Sequence, residues 1–183
     1  MIYPVTVYGD PVLRKKAEPI TKDFKDLKGF VENMFDTMYN SDGVGLAAPQ
    51  VGQAIRIFVI DSTEAEDEGL PGLKKAFINP EILEKSGDEW VMNEGCLSLP
   101  EIREDVLRPE NVKIKYLDED MIEHTETYSG FTSRVIQHEY DHLEGIMFVD
   151  YLNPLKKRIL KSKLIAISKG KVVPKYRIKV PGK

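Results

Sequence analysis

The chain has 183 residues, 42% hydrophobic and 31% charged, with a net charge of −4 and one cysteine. A chain this long buries about two-thirds of its unfolded surface, so a single domain over 1–183 is expected, with no disulfide to help it. The composition excludes fibrous and disordered classes, no apolar run approaches the ~20 residues of a membrane span, and the opening has no basic-then-apolar leader, which points to the cytoplasm.

In chain order, residues 23–40 predict an amphipathic helix, because Leu27, Phe30, Val31, Met34 and Met38 recur at helical spacing and Asp42-Gly43 ends the run. Residues 43–50 read as a small-residue loop. Residues 55–60 read as a strand apolar on both faces. The acidic stretch 62–72 reads as a surface loop, and 77–80 as a short extended piece. Residues 112–116 alternate apolar and basic side chains, as a half-exposed strand does, and 125–128 pair with them around Asp118-Glu119-Asp120. Residues 132–144 hold no Gly or Pro and predict a helix. Asn153-Pro154 starts another, with Leu155, Ile159, Leu160, Leu164 and Ile167 on its apolar face and Gly170 at its end. Residues 171–183 read as an extended tail. Strands and helices without βαβ alternation give an α+β fold with antiparallel sheet.

Charge is unevenly spread. From Tyr151 onward there is no Asp or Glu but there are eleven Lys or Arg. A basic segment on an acidic body is either a solvated face or a contact for a polyanion.

The chemistry concentrates in His138-Glu139-Tyr140-Asp141-His142. Histidines four apart lie on one face of a helix and can bind one ion, with the glutamate between them placed as a general base. A catalytic site of this kind needs a third protein ligand. The run His138 to Gly145 matches the opening of the metzincin pattern HExxHxxG, but the next required histidine would fall at Phe148, and none follows His142. Glu144 and Asp150 are the only acids downstream; Glu144 points to another face of the helix, and Asp150 stays open as the lesser alternative. The ligand is therefore expected upstream, with Cys96 and His124 the leading candidates. A thiolate is a strong ligand for zinc or iron, whereas His124 sits in a polar strand and reads as exposed.

Three segments together resemble a known family. Gly43-Val44-Gly45-Leu46-Ala47-Ala48-Pro49-Gln50 is similar to the GxGxAAxQ motif of peptide deformylases, Glu94-Gly95-Cys96-Leu97-Ser98 to their EGCxS motif, and Gln137-His138-Glu139-Tyr140-Asp141-His142 to their QHExDH motif. The three occur in the family's order, and Gly9-Asp10-Pro11-Val12-Leu13-Arg14 resembles the family's opening. The resemblance covers about residues 1 to 165 and leaves the basic C-terminal segment unmatched.

The resemblance implies antiparallel sheets around a central metal-binding helix, flanked by an N-terminal and a C-terminal helix. It implies Cys96, His138 and His142 as metal ligands, with Fe(II) the native ion and zinc, nickel or cobalt able to replace it. It implies Glu139 as general base, and the Gln50 amide and Leu97 N–H as donors to the oxyanion. The implied reaction is removal of the formyl group from the formyl-methionine of nascent polypeptides, with no membrane or DNA partner. The basic C-terminal segment, through Lys156, Lys157, Arg158, Lys161 and Lys163, is a candidate ribosome contact. Gly43, Val44, Gly45, Glu94, Gly95, Phe131, Arg134 and Val135 are the candidate substrate-binding residues. Gly43 and Gly45 also read as turn formers, and Phe131 and Ile136 read equally as core or as a pocket for the methionine side chain. Gln137 and Ser98 are candidates to orient the ligands, and Glu94 with Arg103 reads as a structural ion pair. Two other classes share the motif: a metalloendopeptidase, and a binding protein whose closed metal site would recruit His124.

Overall fold

The structure is a computed structural model and describes residues 1–64 and 72–182. Most of the surface loop expected over 62–72 lies outside the described residues. Among them the order is β1 (Val5–Thr6), α1 (Leu27–Asn40), β2 (Gly45–Ala47), β3 (Ile57–Asp61), β4 (Lys74–Gly95), β5 (Arg103–Leu117), β6 (Glu123–Tyr128), α2 (Gly130–Leu143), α3 (Pro154–Ser168) and β7 (Ile178–Lys179). Strands β2 to β6 form one antiparallel sheet in chain order, and β1 pairs with β7 in parallel. The α+β class expected from the sequence is the class observed.

The apolar run at 55–60 explains the layering. Side chains alternate across a strand, so Ile57 and Val59 join a cluster with Val31, Met34 and Met38 of α1. Phe58 and Ile60 face the other way, against Val135, Ile136 and Leu143 of α2. That end of the sheet is thus held between two helices. Truncating any of these fully buried side chains to alanine costs about 2–5 kcal/mol.

Helix α1 starts later than the periodicity suggests. Asp26 takes a left-handed backbone with φ 56, and its carboxylate accepts the Gly29 N–H at 3.2 Å, which caps the helix there. The segment 43–50 is not a loop throughout: Gly45–Ala47 is strand β2 and Ala48–Val51 makes a 3-10 turn. The short extended piece at 77–80 belongs to a 22-residue strand, β4. Pro80 and Gly87 punctuate β4 without ending it, because the register with β5 shifts between Ile78 and Glu81 and between Ser86 and Glu89.

Helix α2 is buried although it is rich in polar residues. Ser133, Arg134, Gln137, His138, Glu139, Asp141 and His142 are all buried on it. Buried polar groups need partners, and most of these have them. Gln137 Nε2 donates to the Pro109 carbonyl at 2.9 Å and to Ser133 Oγ at 3.1 Å, so it ties α2 to β5 and does not reach the candidate ligands. Asp141 accepts from Arg108 at 2.7 Å and from the Tyr151 hydroxyl at 3.0 Å.

Asn153 caps α3 by accepting the Lys156 N–H at 2.9 Å. Gly170, at φ +67, turns the chain back. The tail then docks: the Arg177 carbonyl accepts the Val5 N–H at 2.9 Å and the Lys179 carbonyl accepts the Val7 N–H at 3.1 Å.

Candidate metal centre and substrate cleft

The helical spacing places His138 and His142 on one face of α2, with ring centroids 5.1 Å apart. Cys96 enters from the turn after β4, and His142 Nε2 lies 3.3 Å from its Sγ. One donor atom from each of Cys96, His138 and His142 lies within 4.8 Å of the others. His124, the rival third ligand, is half-exposed on β6, bonded to Asp118 at 2.7 Å and stacked on Tyr116. The two downstream acids are also engaged elsewhere: Glu144 pairs with Arg56 and Lys16, and Asp150 with Arg14.

The three donors fit a transition-metal ion. A thiolate with two imidazoles is a donor set for zinc, iron or cobalt. His138 Nδ1 bonds to Glu94 Oε2 at 2.9 Å, which leaves Nε2 for an ion, the usual arrangement in which a carboxylate orients a ligating histidine. Burial pushes both imidazoles toward neutrality. His138 nevertheless rises well above its ordinary pKa through hydrogen bonds to Cys96 and Glu94. His142 falls well below, from its own burial and the neighbouring His138 charge. The three side chains together thus favour one positive charge among them, carried here by the His138 imidazole.

Glu94 is the anchor of this arrangement. Burial opposes its charge, yet hydrogen bonds from His138 and Arg108 hold its pKa well below the usual carboxylate range. Arg108 grips both its oxygens, at 2.7 and 3.0 Å, and Arg134 adds a third contact at 3.0 Å. The ion pair expected between Glu94 and Arg103 does not form. Arg103 instead donates to the Asn93 side chain and carbonyl, each at 3.0 Å, because Arg108 and Arg134 already fill the buried side of Glu94. Arg134 also donates to the Trp90 and Val106 carbonyls and lies over the Trp90 ring at 4.4 Å.

Glu139 points into the same space. Burial pushes its carboxyl up to about 7, against the pull of His138. Its Oε2 has no hydrogen-bond partner among the described residues. Gly45 makes room for it: a Cβ there would lie 2.5 Å from Glu139 Oε1, and one at Gly43 would lie 2.8 Å from Leu97 Cδ1. Both glycines are therefore explained by close approach. Gln50 is oriented by its own turn. Its Oε1 accepts the Ala47 N–H at 2.8 Å, which aims Nε2 at Ser98 Oγ, 3.3 Å away, and Cys96 Sγ, 3.5 Å away.

One cavity of about 420 Å³ is lined by Gly43, Val44, Gly45, Gln50, Glu94, Gly95, Cys96, Leu97, Phe131, Arg134, Val135, His138 and Glu139, but not by the candidates Ser98, Ile136, Gln137 and His142. His142 lies behind it, 1% exposed. Ile136 is core, packed with Phe58 and Phe77. Sequence reasoning missed two residues. Arg108, 2% exposed, joins Glu94 of β4 to Asp141 of α2. The signal available was that a buried motif glutamate needs a cation. Tyr176, in the tail, also lines the cavity, and nothing in its local sequence marks it.

Comparison with known proteins agrees with this geometry. Residues 2–158 match the family model described as polypeptide deformylase. The chain is 55% identical to the peptide deformylase of Christiangramia forsetii, over 99% of this chain and 97% of that one. It is similar to the crystal structure of a peptide deformylase from Legionella pneumophila, with a TM-score of 0.82 and 37% identity over 93% of this chain and 98% of that chain. A peptide deformylase of Arabidopsis thaliana, crystallised with an inhibitor, superposes with a TM-score of 0.82 and 37% identity over 92% of this chain and 91% of that one. The chain belongs to the polypeptide deformylase family, the hydrolases that remove the formyl group from the N-terminal formyl-methionine of newly made polypeptides and release formate.

Proposed function

We propose that Cys96, His138 and His142 hold one divalent ion, Fe(II) in the native enzyme with zinc, nickel or cobalt able to replace it, and that Glu139 moves the proton in the reaction. The observation that carries this reading is one sulfur and two ring nitrogens within 4.8 Å of each other, beside a buried carboxyl in a peptide-sized cavity. When bound, such an ion polarises the formyl oxygen and lowers the pKa of water.

The chain's own groups divide the remaining work. Glu139 takes the proton of the attacking water and later passes it to the leaving amine, a task suited to a carboxyl whose burial makes it a stronger base than an exposed one. Gln50 Nε2 and the Leu97 N–H donate to the oxygen on which charge develops. Gly43, Val44 and Gly45 on one side of the cleft, and Glu94 and Gly95 on the other, flank an extended peptide, to which the strand segments offer backbone groups. Phe131 and Val135 form the apolar wall for the methionine side chain. Arg134 lines the same cavity and holds Glu94 in place.

The test is formate release from formyl-Met-Ala-Ser by anaerobically purified, Fe(II)-loaded protein. Glu139→Ala should keep the metal and lose about 10²-fold or more in rate. Near-normal turnover in that variant refutes the assignment.

The wider reading is one catalytic domain over 1–183, working in the cytoplasm on nascent chains. The basic C-terminal segment is a second candidate contact, with ribosomal RNA. Lys156, Lys157 and Lys163 are engaged with Glu104, the Asp150 carbonyl and the Glu101 carbonyl. Arg158 and Lys161 line a separate groove beside Tyr8 and Leu164, and these two favour the reading. Salt-sensitive cosedimentation with ribosomes that survives charge reversal at Arg158 and Lys161 would sink it.

A further inference from the structure

Among the described residues lining the catalytic cavity, Tyr176 is the one that lies beyond the stretch matched by the family model. It reaches the cavity because the tail is fixed on several sides. Strand β7 pairs with β1, Val5 with Ile178 and Thr6 with Lys179. Val172, Ile178 and Val180 pack on an apolar cluster that includes Val7, Leu99, Ile102 and Phe148, and Cys96 packs on the same cluster. Gly170 bends the chain so closely that a Cβ there would lie 2.9 Å from Val180.

The half-buried Tyr176 side chain ends on the turn that carries Cys96. Its hydroxyl donates to the Leu97 carbonyl at 2.7 Å. The neighbouring carbonyls of this turn are satisfied in series. The Cys96 carbonyl accepts the Leu99 N–H at 2.9 Å, the Ser98 carbonyl accepts the Tyr8 N–H at 2.9 Å, and the Leu99 carbonyl accepts the Ile102 N–H at 3.1 Å. The turn is therefore clasped from outside at two points, by the segment after β1 through Tyr8 and by the tail through Tyr176. The tail contact falls on Leu97, whose own N–H faces the reaction in the reading above.

We propose that Tyr176 is a positioning residue of the deformylase site: its hydroxyl fixes the Cys96-Leu97-Ser98 turn, which makes the C-terminal tail a working part of the catalytic cleft. This rests on the assignment of Cys96 as ligand and of the Leu97 N–H as oxyanion donor. A donor that acts on developing charge is worth more in the transition state than in the ground state. Loosening it therefore lowers kcat and leaves KM nearly unchanged.

The experiment compares wild type, Tyr176→Phe and Lys175→Ala as Fe(II)-loaded and Co(II)-loaded full-length proteins. Tyr176→Phe keeps the ring in the cavity wall and removes one hydrogen bond, so kcat for formyl-Met-Ala-Ser should fall about fivefold with KM within about twofold. The thiolate-to-Co(II) absorption band should shift, because Cys96 sits at the start of the same turn. Lys175 is exposed on the same tail, and Lys175→Ala should match wild type in both readouts. A Tyr176→Phe protein with unchanged kcat and a superimposable Co(II) spectrum overturns the inference alone. A rise in KM with unchanged kcat also overturns it, since that marks a wall and not a positioning contact. A wild-type Co(II) protein with no thiolate band overturns the ligand assignment and the inference with it.

Discussion

Replacing Arg108 by leucine tests the electrostatic frame behind the proposed metal ligands. Arg108 is 2% exposed and makes three charge-assisted hydrogen bonds, two to Glu94 and one to Asp141. The substitution leaves two buried carboxylates without the cation they shared. Removing one partner of a buried ion pair costs about 3–5 kcal/mol. Glu94 keeps Arg134 and His138, and Asp141 keeps the Tyr151 hydroxyl, so the lower end applies, about 3 kcal/mol. With a urea m-value of about 2 kcal/mol per molar, the unfolding midpoint should fall by about 1.5 M. Metal affinity should fall as well, by about 10- to 100-fold, because Glu94 then holds His138 less firmly. Urea titration followed by circular dichroism and a metal-buffered competition assay give the two numbers. Adding Asp141→Asn to the leucine variant should return part of the stability. A midpoint shift below about 0.3 M, or no recovery in the double variant, refutes the view that Arg108 neutralises both acids.

Gly45→Ala should cost activity more than stability. The new methyl meets the Glu139 carboxyl, a movable group, so the melting temperature should change little, while kcat falls about 10- to 100-fold if the displaced Glu139 is the proposed base. Equal losses in both would count against it. Chelation should stop formate release and lower the melting temperature, and added Co(II) or Ni(II) should restore both, since an ion that binds only the folded state stabilises it. Restoration by Mg(II) would contradict the sulfur-containing donor set. On the far end of the sheet, burial opposes the charge of Glu126, but hydrogen bonds from Tyr116, Tyr128 and Lys75 bring its pKa down to about 2. A depressed carboxyl stabilises the fold above its unfolded pKa and loses that contribution as pH falls through the folded value. The melting-temperature gap between wild type and Glu126→Gln should therefore be constant above about pH 5 and narrow toward about pH 2. A gap that widens on acidification refutes it.

Much of the site was legible because its chemistry is local. The spacing of His138, Glu139 and His142 requires only a helix, and the lack of any later histidine sends the search for a third ligand upstream. The two-faced burial of β3 was legible for the same reason, since four consecutive apolar residues leave no solvent face. What was hidden depends on distant pairing. Arg108 sits in a strand with Glu104, Lys113 and Lys115, where one more charge reads as solvated. Only the fold shows that it turns inward to two acids. The length of β4 was masked by Pro80 and Gly87, which usually end strands and here fall where the register slips. The two-residue strands β1 and β7 carry no periodicity, so nothing in either segment announces the other.

The β1–β7 pairing also imposes an order of assembly. Val5 and Ile178 are register partners although most of the described chain lies between them. Closing so long a loop is entropically costly and slow compared with forming α2 or the β4–β5 hairpin. Cys96, His138 and His142 all precede in the chain the tyrosine whose hydroxyl meets the Leu97 carbonyl. A chain in which β1 and β7 have not yet paired therefore carries Cys96, His138 and His142 on formed elements while its Leu97 carbonyl still lacks the Tyr176 hydroxyl.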